Sequence, residues 1–197
     1  MRIIAGKYRS RQIKSLKGRA LRPTSDRLRE TLFNVLSPFL ADARFLDVFA
    51  GTGATGIEAL SRGASEAVFL ESHAAAVRLI RENLAALGIR SGFRILAGDA
   101  AGNLEKLAAE CKATGDAFDI AFLDPPYAAA RQYERVLQSL GASSLLATTG
   151  IVVAEHSRKL HLPESVGSLH RYRVLQQGDA ALSFYRRGES TAAESDS

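Results

Sequence analysis

The sequence predicts a doubly wound α/β domain on a mostly parallel sheet of seven strands, closed by an antiparallel C-terminal hairpin. Three observations carry this. Short apolar runs at 45–50, 67–71, 93–99, 118–123 and 150–155 alternate with stretches whose apolar residues recur at helical spacing. Such alternation gives parallel strands with right-handed crossovers. A glycine-rich turn, Gly51-Thr-Gly53-Ala-Thr-Gly56, joins the first run to its helix. The runs at 169–177 and 181–187 meet at Gly178-Asp179 with no helix between them, the pattern of a hairpin.

The chain of 197 residues is 46% hydrophobic and 24% charged, values of a single globular domain with a real core. No run reaches the roughly 20 apolar residues that span a bilayer, and the basic N-terminus carries no signal-peptide pattern. Cys111 is the only cysteine, which excludes an internal disulfide and suits a reducing, cytoplasmic home. His73, His156, His161 and His170 lack metal-ligand spacing, so no metal is expected.

Residues 1–22 hold eight Lys/Arg and no acid. Residues 45–157 hold 9 Lys/Arg against 13 Asp/Glu, and residues 158–187 hold 6 against 2. Basic ends around an acidic middle suit a polyanion held outside a separate reaction centre, although a solvated basic face has the same composition. Residues 1–5 and 11–16 read as strands of a hairpin turned at residues 6–10. Its Lys7, Arg9, Arg11 and Lys14, followed by Arg22, are candidate RNA contacts, with Tyr8 available for stacking.

Ser25 is the expected N-cap of the first helix, whose apolar face is Leu28, Leu32, Val35, Leu36 and Phe39. The first core strand, 45–50, is interrupted by Asp47 and enters the glycine loop. The second ends on Glu71, and Ser72 is the expected cap of a helix over 73–87. The third ends on Asp99, before a helix marked by Leu104, Leu107 and Cys111. The fourth ends on Asp124-Pro125-Pro126-Tyr127. Prolines cannot continue a central ladder and keep the preceding residue out of the helical region. The Asp124 carboxylate and Pro125 carbonyl are therefore presented beside a flat ring, a place for a planar amino group; read alone, the segment also fits a rigid turn. Tyr133, Val136, Leu137 and Leu140 mark the next helix, 150–155 is the fifth strand, and residues 188–197 read as a disordered acidic tail.

The glycine loop followed by Glu71 fits a dinucleotide fingerprint, and alone it suggests NAD. Asp47 argues otherwise, because a buried acid needs a cationic or donor partner and disfavours a pyrophosphate. Acids at Asp47, Glu71 and Asp99 suit a cofactor with a cationic amino-acid tail, a ribose and an adenine, which are the groups of S-adenosyl-L-methionine.

The segment from Asp47 to Gly53 together with Asp124-Pro125-Pro126-Tyr127 resembles the class I S-adenosylmethionine-dependent methyltransferases that act on exocyclic amino groups. With Arg2-Ile-Ile-Ala-Gly6, residues 21–34 and residues 56–62, the chain resembles the RsmD family over 1–187. That resemblance implies a Rossmann-like class I methyltransferase domain over 23–187, with residues 1–22 as a basic hairpin extension. It implies methyl transfer to N2 of a guanine in small-subunit (16S) ribosomal RNA. The partner would be that RNA, within the assembling or assembled 30S subunit, and the protein a monomer with no membrane or metal. It places Asp47 at the methionine end, the Ala50, Gly51, Thr52 and Gly53 backbone along the cofactor, Glu71 with Ser72 at the ribose and Asp99 with Ala100 at the adenine edge. Thr24 and Arg29 become candidates for the methionine carboxylate. Asp124, Pro125, Pro126 and Tyr127 become the catalytic segment, with Asp124 and the Pro125 carbonyl on the amino group and Tyr127 stacked on the base. A methyltransferase for DNA adenine or protein glutamine, or a non-catalytic RNA-binding module, would share much of this pattern.

Overall fold

The computed structural model describes residues 1–15, 26–125 and 130–188. In chain order the elements are α1 (Asp26–Leu36), β1 (Arg44–Val48), α2 (Ala54–Ser61), β2 (Glu66–Glu71), α3 (Ala74–Ala86), β3 (Phe93–Ala97), α4 (Ala100–Thr114), β4 (Phe118–Leu123), α5 (Ala130–Ala142), β5 (Leu146–Ser157), β6 (Ser165–Val166), β7 (Leu169–Gln177) and β8 (Ala180–Arg187). They form one sheet in the order β3-β2-β1-β4-β5-β8-β7-β6. Strands β1 to β5 are parallel, and β8, β7 and β6 follow antiparallel. The sheet therefore has eight strands where seven were expected. The addition, β6, is two residues long and turns back through Gly167, too short for any apolar period to register.

The pleat explains which helices lie on which face. Phe45 and Asp47 of β1, Ile120 and Phe122 of β4, and Ile151 and Val153 of β5 share one face by alternation and register. There the apolar members pack with Leu28, Leu32, Phe33 and Leu36 of α1. Farther along the same face, Ala67 and Phe69 of β2 meet Ile57 of α2 and Ile80 and Leu84 of α3. The opposite face, with Leu46, Val48, Ala121, Leu123, Val152 and Ala154, takes α4 and α5 through Leu104, Leu107, Cys111, Tyr133, Val136, Leu137 and Leu140. Gly56 lets α2 approach β2 closely, since a Cβ there would lie 2.3 Å from the Phe69 ring.

Among the described residues the N-terminal segment pairs antiparallel at the bridge between Arg2 and Gln12, supported by bonds such as Ile3 N–H to the Arg11 carbonyl. The expected hairpin is thus, among these residues, a single antiparallel bridge without regular strands, docked on the main body. Its anchors are polar side chains of helices α2 and α3. Glu58 accepts from the Ile4 and Ala5 N–H groups at 2.8 and 3.0 Å, Ser61 Oγ accepts from Tyr8 N–H, and Asn83 Oδ1 accepts from Lys14 N–H. A Cβ on Gly6 would lie 1.8 Å from the Ser61 carbonyl oxygen, so only glycine fits this contact.

Two local expectations change. Ser72 does not cap α3; His73 is the N-cap, without a side-chain bond, and the nearby His73 N–H is taken by Glu71 Oε1 at 2.7 Å. Phe39 leaves the apolar face of α1. It ends a short 3-10 turn and is 42% exposed, with the Arg186 guanidinium over its ring. The Ser25 cap lies outside the described residues, as do Arg22, Thr24, Pro126, Tyr127 and all of the acidic tail after Gly188.

Candidate active site

Strand order reverses between β1 and β4, with β2 and β3 on one side and β5 on the other. In open α/β sheets, ligands bind at the carboxyl ends of the strands beside such a switch point. Here β1 delivers the glycine loop and β4 delivers Asp124, and the two ends are linked by Asp124 N–H to the Val48 carbonyl at 3.5 Å.

After β1 the backbone enters the left-handed region at Phe49, φ +69°. For a bulky side chain this costs on the order of 1–3 kcal/mol and persists only where the surroundings enforce it. Two acids do so. Glu71 Oε2 accepts from Gly51 N–H at 2.8 Å, and Asp47 Oδ2 accepts from Gly56 N–H at 2.8 Å, bracing α2 against the end of β1. Gly53 caps α2 in the left-handed conformation, without a side-chain bond. The Thr52 carbonyl accepts from Asn83 Nδ2 at 3.0 Å, which joins the loop to the N-terminal segment through the same asparagine. Ala50, Gly51, Thr52 and Gly53 thus form one backbone surface held at both ends.

Asp47 is 1% exposed. Burial, then the neighbouring Glu71, pushes its carboxyl from the ordinary 3.8 to about 7, against the opposing bond from Gly56. The folded chain therefore holds this proton over a range where the unfolded chain has released it. Stability from this group is fully present below the ordinary value and falls as pH rises toward 7. At about 1.4 kcal/mol per pH unit, the loss is on the order of 4 kcal/mol. Asp47→Asn keeps an oxygen for Gly56 N–H and cannot titrate. Urea unfolding of both proteins at mildly acidic and neutral pH is expected to show the wild type losing more stability than Asp47→Asn; parallel losses would contradict this.

Asp99 is exposed and caps α4, accepting from Ala101 and Gly102 N–H groups at 2.9 and 3.1 Å, with Ala100 as the first helical residue. Asp124 is half-buried and Pro125 buried. Burial first, then Glu155 and Asp47, holds the Asp124 carboxyl well above the usual carboxylate range. Glu155 of β5 is 5% exposed. It escaped sequence reasoning although it ends its apolar run as Glu71 and Asp99 end theirs.

Arg29 is fully buried, and its partners belong to the N-terminal clamp. Nη2 donates to the Arg2 carbonyl and to Asp26 Oδ1, and Nε lies 3.9 Å from Glu58. Its Nη1 has no hydrogen-bond partner among the described residues. Lys7, Arg9, Arg11 and Lys14 are exposed. Arg11 donates to the Ala86 carbonyl and Lys14 pairs with Glu82 at 2.9 Å. Tyr8 is half-buried against the α2–α3 cluster, with Lys7 Nζ 5.5 Å from its ring centroid. No cluster of His, Cys, Asp and Glu suited to a metal occurs among the described residues. Nor, among them, is any helix long and apolar enough to cross a membrane.

Comparison with known proteins gives this arrangement relatives. Ribosomal RNA small subunit methyltransferase D of Escherichia coli K12 is 36% identical over 197 residues, covering 98% of this chain and 94% of that protein. The solved structure of Escherichia coli yhhF superposes with a TM-score of 0.79 at 32% identity, covering 95% of this chain and 97% of that one. SMU.776, solved in complex with SAH, shares the fold at a TM-score of 0.64 and 13% identity, covering 80% and 48%. The family model described as conserved hypothetical protein 95 matches residues 1–186. With that match and the full-length likeness to methyltransferase D, the chain belongs to this family, the RsmD family of methyltransferases.

Proposed function

We propose that the protein methylates the exocyclic N2 amino group of a guanine in 16S ribosomal RNA, at position 966, using S-adenosyl-L-methionine. The observation that carries this reading is the meeting of Asp124 and Pro125 with the braced glycine loop across the β1–β4 switch point.

The residues at the loop fit the cofactor. Asp47 and Glu71 put two carboxyls at adjacent strand ends, and among the described residues no cation is paired with Asp47, an environment that favours a cationic amino group. Glu71 keeps lone pairs beyond its bonds to Gly51 and His73 for a ribose, and Asp99 with Ala100 borders the adenine side; Ser72 is exposed beside them. Thr24 and Arg29 remain the candidates for the methionine carboxylate, Arg29 through its Nη1, which has no partner among the described residues. When bound, the cofactor supplies an electrophilic methyl group on a sulfonium.

The chain's own contribution is to the acceptor. The guanine amino nitrogen is a weak nucleophile because its lone pair is delocalised into the ring. Accepting its two N–H groups at the Asp124 carboxylate and the Pro125 carbonyl favours a pyramidal nitrogen with its lone pair free. The carboxylate also stabilises the positive charge that grows there. Tyr127 stacks on the extruded base, a contact worth about 1–3 kcal/mol, and Pro126 belongs to the same catalytic segment.

Calorimetric titration tests the cofactor directly. S-adenosylmethionine is expected to bind and NADH not; the reverse would restore the dinucleotide reading, and no binding of either would leave only an RNA-binding module. The exposed basic segment is read as the RNA grip. Changing Arg9, Arg11 and Lys14 together to glutamine is expected to weaken RNA binding and lower the salt slope by about one for each phosphate no longer neutralised. An unchanged slope in a filter-binding series would reduce the segment to a solvated face.

A further inference from the structure

We propose that Glu155 is a second carboxylate of the acceptor site, a positioning residue that acts through Asp124 by making it a base strong enough to take the proton the amino group gives up. The proposal rests on the methyl-transfer reading above and extends it to where the proton goes.

The placement follows from the sheet. Leu123 of β4 is in register with Ala154 of β5, so the next residues stand side by side, Asp124 just past the end of β4 and Glu155 within β5, two residues before its last residue, Ser157. Asp47 is in register with Phe122, and Phe122 with Val153. Alternation therefore sends Asp47, Asp124 and Glu155 to one face of the sheet, at the switch point. Glu155 is nearly as buried as Asp47. Its backbone is held from the other face by Tyr133 of α5, whose hydroxyl donates to the Glu155 carbonyl at 2.6 Å. The next residue, His156, is turned away and bonded to Ser183 Oγ at 2.8 Å.

The groups facing Asp124 are thus Glu155 from β5 and Asp47 from β1, with Glu71 of β2 behind Asp47. Among the described residues no ion pair of Asp124 offsets them. Two carboxyls so placed resist ionising together, and of the charges acting on Asp124 that of Glu155 is the larger. A general base works best when its proton affinity is matched to the working pH, which for a carboxylate means one raised by its surroundings.

The step balances without another reactant. As the amino nitrogen takes the methyl group, an N–C bond forms and the S–C bond breaks, its electron pair remaining on sulfur. The nitrogen then carries a positive charge, and one of its N–H protons passes to Asp124. The product leaves with a neutral methylamino group, and Asp124 returns its proton to solvent after release.

The test is the pH dependence of single-turnover methyl transfer to 30S particles from a tritiated donor, for wild type, Glu155→Gln and Glu155→Asp. Glu155→Gln is expected to move the acid limb to lower pH by about one unit and to lower the plateau about tenfold. Glu155→Asp keeps the charge and is expected to keep the limb. A limb unmoved in Glu155→Gln would overturn the proposal, whatever happens to the plateau, because lost packing alone lowers the rate at every pH. The reciprocal measurement does not depend on activity or on Glu155→Gln folding. In Asp124→Asn, the Glu155 side-chain carboxyl, followed by carbon-13 NMR, is expected to titrate at lower pH than in wild type; an unshifted titration would also overturn the proposal. Coupled carboxyls in a wild type that methylates no RNA would instead count against the methyl-transfer reading.

Discussion

Asp124→Ala is expected to lower methyl transfer by about 10²- to 10³-fold, the loss seen when one preorganised partner of a developing charge is removed. Stability is expected to hold or rise. Burial and the charges of Glu155 and Asp47 make the ionised Asp124 costly in the free protein, and alanine removes that cost. Asp124→Asn keeps one acceptor for the amino group without its charge, and is expected to fall between the two. Single-turnover rates beside urea midpoints separate the effects. Near wild-type transfer by a stable Asp124→Ala protein would remove the residue from the mechanism.

Glu58→Ala is expected to be strongly destabilising, by about 3–5 kcal/mol. Glu58 is fully buried on α2 and gathers the Ile4 and Ala5 N–H groups and Arg62 Nε, with Arg29 Nε at 3.9 Å. Burial lowers the Arg29 pKa below its ordinary value, and Glu58 is the largest influence opposing that fall. Without it a buried guanidinium is left to Asp26 and the Arg2 carbonyl. The N-terminal segment then loses its main anchor, and amide exchange at Ile4 and Ala5 is expected to accelerate more than that of β1. Adding Arg29→Met removes the orphaned charge and is expected to recover part of the loss. A denaturation midpoint unchanged by Glu58→Ala would show that the clamp contributes little.

The centre of the sheet was legible because β1, β2 and β4 are buried on both faces and read as continuous apolar runs, and because proline and glycine mark where strands end. The loop and Asp124 were legible for the same reason: each sits where an apolar run stops. Glu155 carries the same mark, but the acids already found had accounted for the cofactor and left its run without a task. The N-terminal clamp was hidden for a different reason. Glu58, Ser61 and Asn83 lie 53 to 69 residues from the backbone groups they bind, and no local period encodes such a pairing. Ser72 misled because the helix starts one residue later than its position suggests: His73 is the cap, and its N–H is taken by Glu71.

Methyl transfer from tritiated S-adenosylmethionine to 30S particles lacking the modification, followed by mapping of the labelled nucleotide, tests the central claim most directly. The expected result is a single label in 16S RNA, on the N2 of guanine 966, whose rate of appearance falls with Asp124→Ala. Label on another base or on a protein, or none from a protein that binds the cofactor, would contradict it.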